Sequence, residues 1–153
     1  MALEQLHYLK LMLVCEEGLQ AHPMPGKPVL NPLQLPAFPA LFSCNRSSGE
    51  LTVNANSCAR AGIASEQAQN TITELRLNAT RLTRLRKAAL DHLNTQMRLR
   101  LQTGIDIGMA RQQLAQAQLR KDGKQHWPAF FSSIRSYLGH EAEQHLLQSG
   151  YVG

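Results

Sequence analysis

Between Ala64 and Leu101 the apolar residues Ile72, Leu75, Ala79, Leu82, Ala89, Leu93, Met97 and Leu101 recur at helical intervals. At about 100° per residue they share one face, which predicts an amphipathic helix over this stretch with Ser65 as its N-cap. Arg76, Lys87 and Arg98, spaced by elevens, form a stripe on the opposite side. Arg86 and Arg100 fall near the apolar face, so either the long helix is divided or those two side chains serve an interface. A further helix is expected from about Ile105 to Lys121, through Ile105, Met109, Leu114, Ala117 and Leu119. Between the two, Thr103 and Asp106 imitate a capping box, and Gly104 and Gly108 weaken any continuous helix, so a break is expected at Thr103–Gly104. The last helix is expected to open at Trp127-Pro128 and to carry Phe130, Phe131, Ile134, Tyr137 and Leu138 into the core. Leu146 and Leu147 extend it past Gly139 until Ser149-Gly150.

Upstream, Leu3, Leu6, Leu9 and Leu13, flanked by Leu11, Met12 and Val14, predict a short buried helix over residues 2 to about 20. Six of the seven prolines then fall between Pro23 and Pro39, which forbids helix and central strand. The interleaved Val29, Leu30, Leu33, Leu35, Phe38, Leu41 and Phe42 make this stretch too apolar for a free linker. An irregular strap laid across helices is the expectation, and burial outweighs its two P-x-x-P spacings as ligands for a polyproline reader. Residues 40–55 hold two short β-prone pieces around Ser47-Ser48-Gly49, which predict a small hairpin.

A chain of 153 residues can build one substantial core, so a single domain is expected, with an N-terminal helix (1–21), a strap and hairpin (22–60) and a helical remainder (61–153). Apolar residues are 43% but aromatics only 5%, so Leu, Ala and Ile must fill the interior, and the expected fold class is all-α. The formal charge is +5, with a pI near 9.5, and the excess is local. Between positions 76 and 100, seven bases (Arg76, Arg81, Arg84, Arg86, Lys87, Arg98, Arg100) face one acid, Asp91, a balance of 7 − 1 = +6. Such clustering points to a polyanion, although arginine is also a good helix former whose stem covers apolar surface.

The three cysteines, Cys15, Cys44 and Cys58, leave one over in any monomeric disulfide scheme, and no secretory signal is visible. A reducing cytoplasm is expected, with Cys44 and Cys58 as free thiols. Leu11 to Cys15 is too short to cross a bilayer, so no membrane partner is expected. His140 and His145 are five apart, about 140° around a helix, whereas a zinc-protease helix needs its histidines four apart. Glu141 and His145 share a face and could meet His126, but an exposed helical pair is the preferred reading. With no C-x-x-C, no phosphate-cradling glycine loop and no nucleophile elbow, neither catalysis nor a metal or cofactor is expected.

Residues 96–119 resemble a helix-turn-helix DNA-binding motif. Leu99, Gly104, Ile105, Ala110 and Leu114 stand where that motif has its first-helix apolar residue, turn glycine, following apolar residue and second-helix core. Arg100 departs from the pattern, because it stands where the motif has a small residue that lets the helices approach. The resemblance implies that Asp106, Met109, Arg111 and Gln112 lie nearest the base edges, with Arg111 suited to guanine and Gln112 to adenine. Arg76, Arg81, Arg84, Lys87 and Arg98 would contact phosphates, which positions a protein without reading sequence. The expected function is therefore a non-enzymatic DNA-binding or DNA-handling accessory protein. The alternative is a helical interaction module, an adaptor, small chaperone or assembly subunit, whose basic face meets an acidic protein and whose apolar face oligomerises.

Overall fold

The computed structural model describes residues 28–31 and 35–151. The expected helix over 2–20 lies outside the described residues, as does part of the proline-rich stretch. Over the described part of that stretch the backbone is neither helix nor strand, and Leu30 and Leu41 are buried. Then come β1 (Phe42–Cys44), β2 (Leu51–Val53), α1 (Ala55–Arg60), α2 (Ser65–Glu74), α3 (Thr80–Gln102), α4 (Ile107–Gln118), α5 (Phe131–Leu138) and α6 (His140–Gln148). The described chain is thus mostly helical with one small antiparallel sheet.

The hairpin forms where the turn residues placed it. Asn45 Oδ1 accepts hydrogen bonds from the backbone N–H groups of Ser47 (2.9 Å) and Ser48 (3.3 Å), and Asn45 N–H donates to Glu50 O at 2.8 Å. A side chain that satisfies the turn's own donors is what favours asparagine here. The strands pair Phe42 with Val53, Ser43 with Thr52 and Cys44 with Leu51. Gly49 closes the turn at φ 76°, and a β-carbon there would overlap the carbonyl oxygen of Thr83 on α3, so only glycine lets the hairpin tip sit against that helix.

The helical stretch expected from about residue 64 is divided. α2 ends at Glu74 and α3 starts at Thr80, with Arg76 between them at φ 48°. Ser65 is the first residue of α2 and makes no side-chain cap; Ala64 holds the capping position. The physical cause of the division is tertiary. Asn78 turns to the hairpin, where its Oδ1 accepts from Leu51 N–H at 2.8 Å and its Nδ2 donates to Leu51 O at 2.9 Å. Leu77 is buried with Leu51, Ile72 and Leu82. Arg86, fully buried on α3, donates from Nη2 to Leu77 O and from Nη1 to Gly49 O at 3.3 Å. One guanidinium thereby ties α3 to both the interhelical turn and the hairpin tip, a use suited to its forked, always-charged donors.

Beyond this region Leu90, Leu93 and Met97 of α3 pack with Ala110, Leu114, Ala115 and Leu119 of the α4 region. Phe131, Ile134, Tyr137 and Leu138 of α5, with Ala142 and Leu146 of α6, complete this cluster. α5 begins at Phe131 rather than at Trp127-Pro128, because Phe130 takes a left-handed φ of 59°. The helix expected to run through Gly139 is likewise split there into α5 and α6, with Gly139 at φ 66°, ψ −129°. The turn lets the Arg135 guanidinium meet Glu143 in two bonds, Nε to Oε1 at 2.7 Å and Nη2 to Oε2 at 2.6 Å, while its central carbon lies 4.8 Å from the Phe38 ring centroid.

Arg86→Met keeps most of the stem volume but leaves two buried carbonyls without their donors. We expect it to destabilise by roughly 3 kcal/mol, with no rescue by Arg86→Lys, whose ammonium lacks the fork. Urea unfolding followed by circular dichroism measures it; a change within error of zero would show that the guanidinium is dispensable. Gly49→Ala should destabilise by a comparable amount, on the order of several kcal/mol, through the overlap with Thr83.

Candidate nucleic-acid interface

α3 carries the basic excess, and the fold divides it unequally. The helix has 23 residues, about 34 Å of axis, and buries Leu82, Arg86, Leu90, Leu93 and Met97 along one face. Arg81, Arg84 and Arg98 are exposed on the opposite face, and Arg76 is exposed on the turn that precedes the helix. Arg81 and Arg84 are one turn apart, and the first turn of α3 holds no acid. The helix dipole adds partial positive charge at that same end. The expected stripe of Arg76, Lys87 and Arg98 on one continuous helix does not exist, because the chain leaves helical geometry at Arg76.

Among the seven bases between 76 and 100, Arg86, Lys87 and Arg100 are tied down within the fold, and Arg81, although exposed, also makes an interaction there. Arg86 is internal. Lys87 Nζ meets Asp91 Oδ2 at 2.6 Å across an exposed helical turn, which offsets the local charge there. Arg100 lies along its own helix, donating to Gln96 O at 3.1 Å and to Gln96 Oε1 at 3.0 Å. The division of the long helix that these two arginines left open is therefore real, and Arg86 in addition serves the contact between α3 and the hairpin. Only its position on the apolar face signals burial; nothing local signals which carbonyls it reaches.

The corner between α3 and α4 breaks where expected. Thr103 ends α3, donating through Oγ1 to Arg100 O at 2.7 Å, and Gly104 follows at φ 83°. Asp106, not Thr103, caps α4: its Oδ1 accepts from Gly108 N–H at 2.8 Å and Met109 N–H at 3.2 Å. Of the residues that carry the helix-turn-helix resemblance, Ala110 and Leu114 are fully buried and Ile105 is partly buried against the same core. Leu99 differs: it is 56% exposed, and Met97 fills the interior in its place. On α4, Gln112, Gln113 and Gln116 are exposed beside Met109, while Arg111 is half-buried. The outward face of α4 is thus neutral, with amides beside the exposed Ile107 and Met109 and Arg111 at its edge.

The remaining candidates are occupied elsewhere. His145 Nε2 lies 3.2 Å from Leu119 O, and His126 Nδ1 lies 3.7 Å from Asp122 Oδ2, so neither joins Glu141 in a ligand set. Among the described residues no three His, Cys, Asp or Glu side chains are grouped as metal ligands. Cys44 and Cys58 are both free thiols. Trp127 and Phe131 lie with ring centroids 4.8 Å apart at a tilt of 51°, and both meet Tyr151 at the edge of the core. No helix among the described residues is long and apolar enough to cross a membrane. Comparison with protein-family models, with curated proteins and with solved structures gave no match, so any assignment rests on these residues themselves.

The loop after α4 titrates in a predictable way. Backbone N–H donation from His126 to Asp122 is the main cause holding that carboxyl below the ordinary aspartate value; the Lys124 N–H and the nearby His126 ring act in the same direction, against partial desolvation. A carboxylate with a lowered folded pKa stabilises above its unfolded pKa, and that contribution fades as pH falls through the folded one. NMR of the Asp122 carboxyl through the acid range should show it titrating lower than a free aspartate, with the Lys124 and His126 amides shifting in the same step. An ordinary midpoint would remove these bonds from the account.

Proposed function

We propose that this chain is a non-enzymatic binding protein that takes a nucleic-acid backbone, duplex DNA in the first instance, against the exposed basic end of α3. The observation that carries the reading is that Arg76, Arg81 and Arg84 are all exposed around the start of a helix whose first turn holds no acid. Phosphate oxygens suit such a place because arginine forks donate two bonds at once and the helix dipole adds to the attraction. Arg98, 17 residues along the axis from Arg81, extends the contact by about 26 Å, a length that spans several phosphates. Lys87 contributes less than its charge suggests because Asp91 neutralises it. Any base reading falls to α4, where Gln112 is exposed and Arg111 partly so.

A second reading is favoured by a separate observation. Leu85 and Leu99 are 45% and 56% exposed on the same outward face as the arginines, and large exposed apolar side chains among bases suit an acidic protein partner better than a phosphate chain.

Salt-dependent binding separates the two. Replacing Arg76, Arg81 and Arg84 together by Gln should weaken duplex binding for every sequence and lower the log-log salt slope by about 2.7, at about 0.9 for each phosphate no longer neutralised. Arg111→Ala should leave the slope nearly unchanged and, where Arg111 reads a guanine, cost on the order of 1 to 3 kcal/mol at a preferred site alone. An absence of binding at low salt would hand the face to the protein-partner reading.

A further inference from the structure

The hairpin tip rests on α3 at Gly49, where a β-carbon would overlap the Thr83 carbonyl oxygen and crowd the Lys87 nitrogen. The same tip carries Arg46, which is exposed. Its Nη2 donates to Tyr137 O at 3.3 Å, and its central carbon lies 4.5 Å from the Tyr137 ring centroid. Tyr137 in turn donates through its hydroxyl to Asn94 Oδ1 on α3 at 3.3 Å. The Arg46 guanidinium is therefore held one tyrosine ring away from α3, on the flank that Thr83, Lys87 and Asn94 share. At about 100° per residue these three fall within about 40° of one another, and Arg98 and Arg84 stand about 40° and 80° further round toward solvent.

Along α3 itself the exposed bases leave a gap. Arg84 and Arg98 are 14 residues apart, about 21 Å of axis, and between them Arg86 is internal while Asp91 offsets Lys87. The hairpin meets α3 at Thr83 and Lys87, and Tyr137 meets it at Asn94, so Arg46 stands beside the middle of that interval. Among the described residues no carboxylate pairs with Arg46, Arg84 or Arg98, and Glu50, the acid of the same tip, accepts from Ser48 Oγ at 3.0 Å. We propose that Arg46 is a further phosphate contact, which with Arg84 and Arg98 completes a row that follows one strand of a nucleic-acid backbone; this rests on the function proposed above. The Tyr137 ring fixes the plane of the guanidinium without consuming its donors, and one bond to Tyr137 O leaves most of the five-donor fork for a phosphodiester oxygen. A side chain already ordered in this way loses less freedom on binding than one ordered only by the ligand. Arg46 lies 38 residues before Arg84, so charge counting along the basic stretch does not reveal it.

Duplex DNA binding is followed by fluorescence anisotropy over a range of salt for the full-length chain and for Arg46→Gln, Arg46→Lys and Arg84→Gln, with circular dichroism and thermal unfolding as the check on each fold. Arg46→Gln should lower the log-log salt slope by about 0.9 for every sequence alike, so that the affinity lost between 50 and 200 mM salt shrinks by about 3.5-fold. Arg46→Lys keeps the charge and should keep the slope, yet bind several-fold more weakly, because an ammonium has no flat fork to hold on the Tyr137 ring. A role confined to fastening the hairpin to α5 would lower the unfolding temperature and leave the slope untouched. An unchanged slope in Arg46→Gln, beside a lowered one in Arg84→Gln, would therefore overturn the proposal and leave the nucleic-acid reading standing. A second measurement needs no variant: as duplex is titrated into the unaltered chain, the Arg46 Nε–H resonance should shift over the same concentration range as that of Arg84. A resonance unmoved at saturation would count against Arg46 alone. If the unaltered chain binds no duplex at low salt but binds polyglutamate, and Arg46→Gln weakens that, both readings fall and the face belongs to an acidic protein.

Discussion

The rest of the structure depends on a buried arginine. Taking the guanidinium of Arg86 out of water costs several kcal/mol, and it is tolerated because the carbonyls of Leu77 and Gly49 accept from it in the interior. Those two carbonyls belong to different parts of the chain, the turn before α3 and the tip of the hairpin. A methyl-sized group on Gly49 would hold the tip off the helix, so the glycine and the arginine are two halves of one contact. Hairpin, turn and long helix are therefore positioned together, and the direction in which α3 presents its outward face follows from a bond on its inward one.

That outward face is mixed. Arg81, Arg84 and Arg98 alternate with Leu85, His92 and Leu99, and Asp91 interrupts the charge through Lys87. A face built only to hold phosphates has little use for exposed leucines, and a face built only to bury leucines has little use for arginines at both ends. Any partner that covers Leu85 and Leu99 necessarily covers part of the charge beside them. The corner to α4 adds neutral side chains with a single base, the half-buried Arg111, so most of the exposed bases between residues 76 and 118 lie on α3 and the turn before it.

The elements legible in the sequence are those set by local chemistry. Asn45 and Gly49 make the hairpin turn, and Gly104 with Asp106 makes the corner, from interactions that span five residues or fewer. The division at residues 75–79 is not legible, because the apolar period runs in phase across it: Ile72, Leu75, Ala79 and Leu82 keep helical spacing whether or not the backbone does. What breaks the helix is Asn78 reaching Leu51, a contact 27 residues away. The turn at Gly139 is hidden for the same reason, since Leu138 and Ala142 stay in register through it. For the candidate site, charge counting locates the helix that carries most of these bases but overstates its surface charge. Counting cannot tell an arginine facing water from one that holds the interior, although the angular position of Arg86 among the apolar residues is the available clue.

The same Asn78 has a consequence for what the small sheet can and cannot do. A two-stranded sheet has both of its strands at an edge, where unpaired backbone groups can recruit a foreign strand. Here Asn78 occupies the outward N–H and C=O of Leu51 with one side-chain amide, and on the other side Ser136 Oγ accepts from the outward Cys44 N–H at 3.0 Å. Each rim is stoppered by a side chain from outside the sheet at the place where a third strand would begin to zip. The sheet is thus built as a closed clasp, and association of this protein with others by strand addition is blocked at both of those positions by residues whose length admits one backbone group or pair and nothing more.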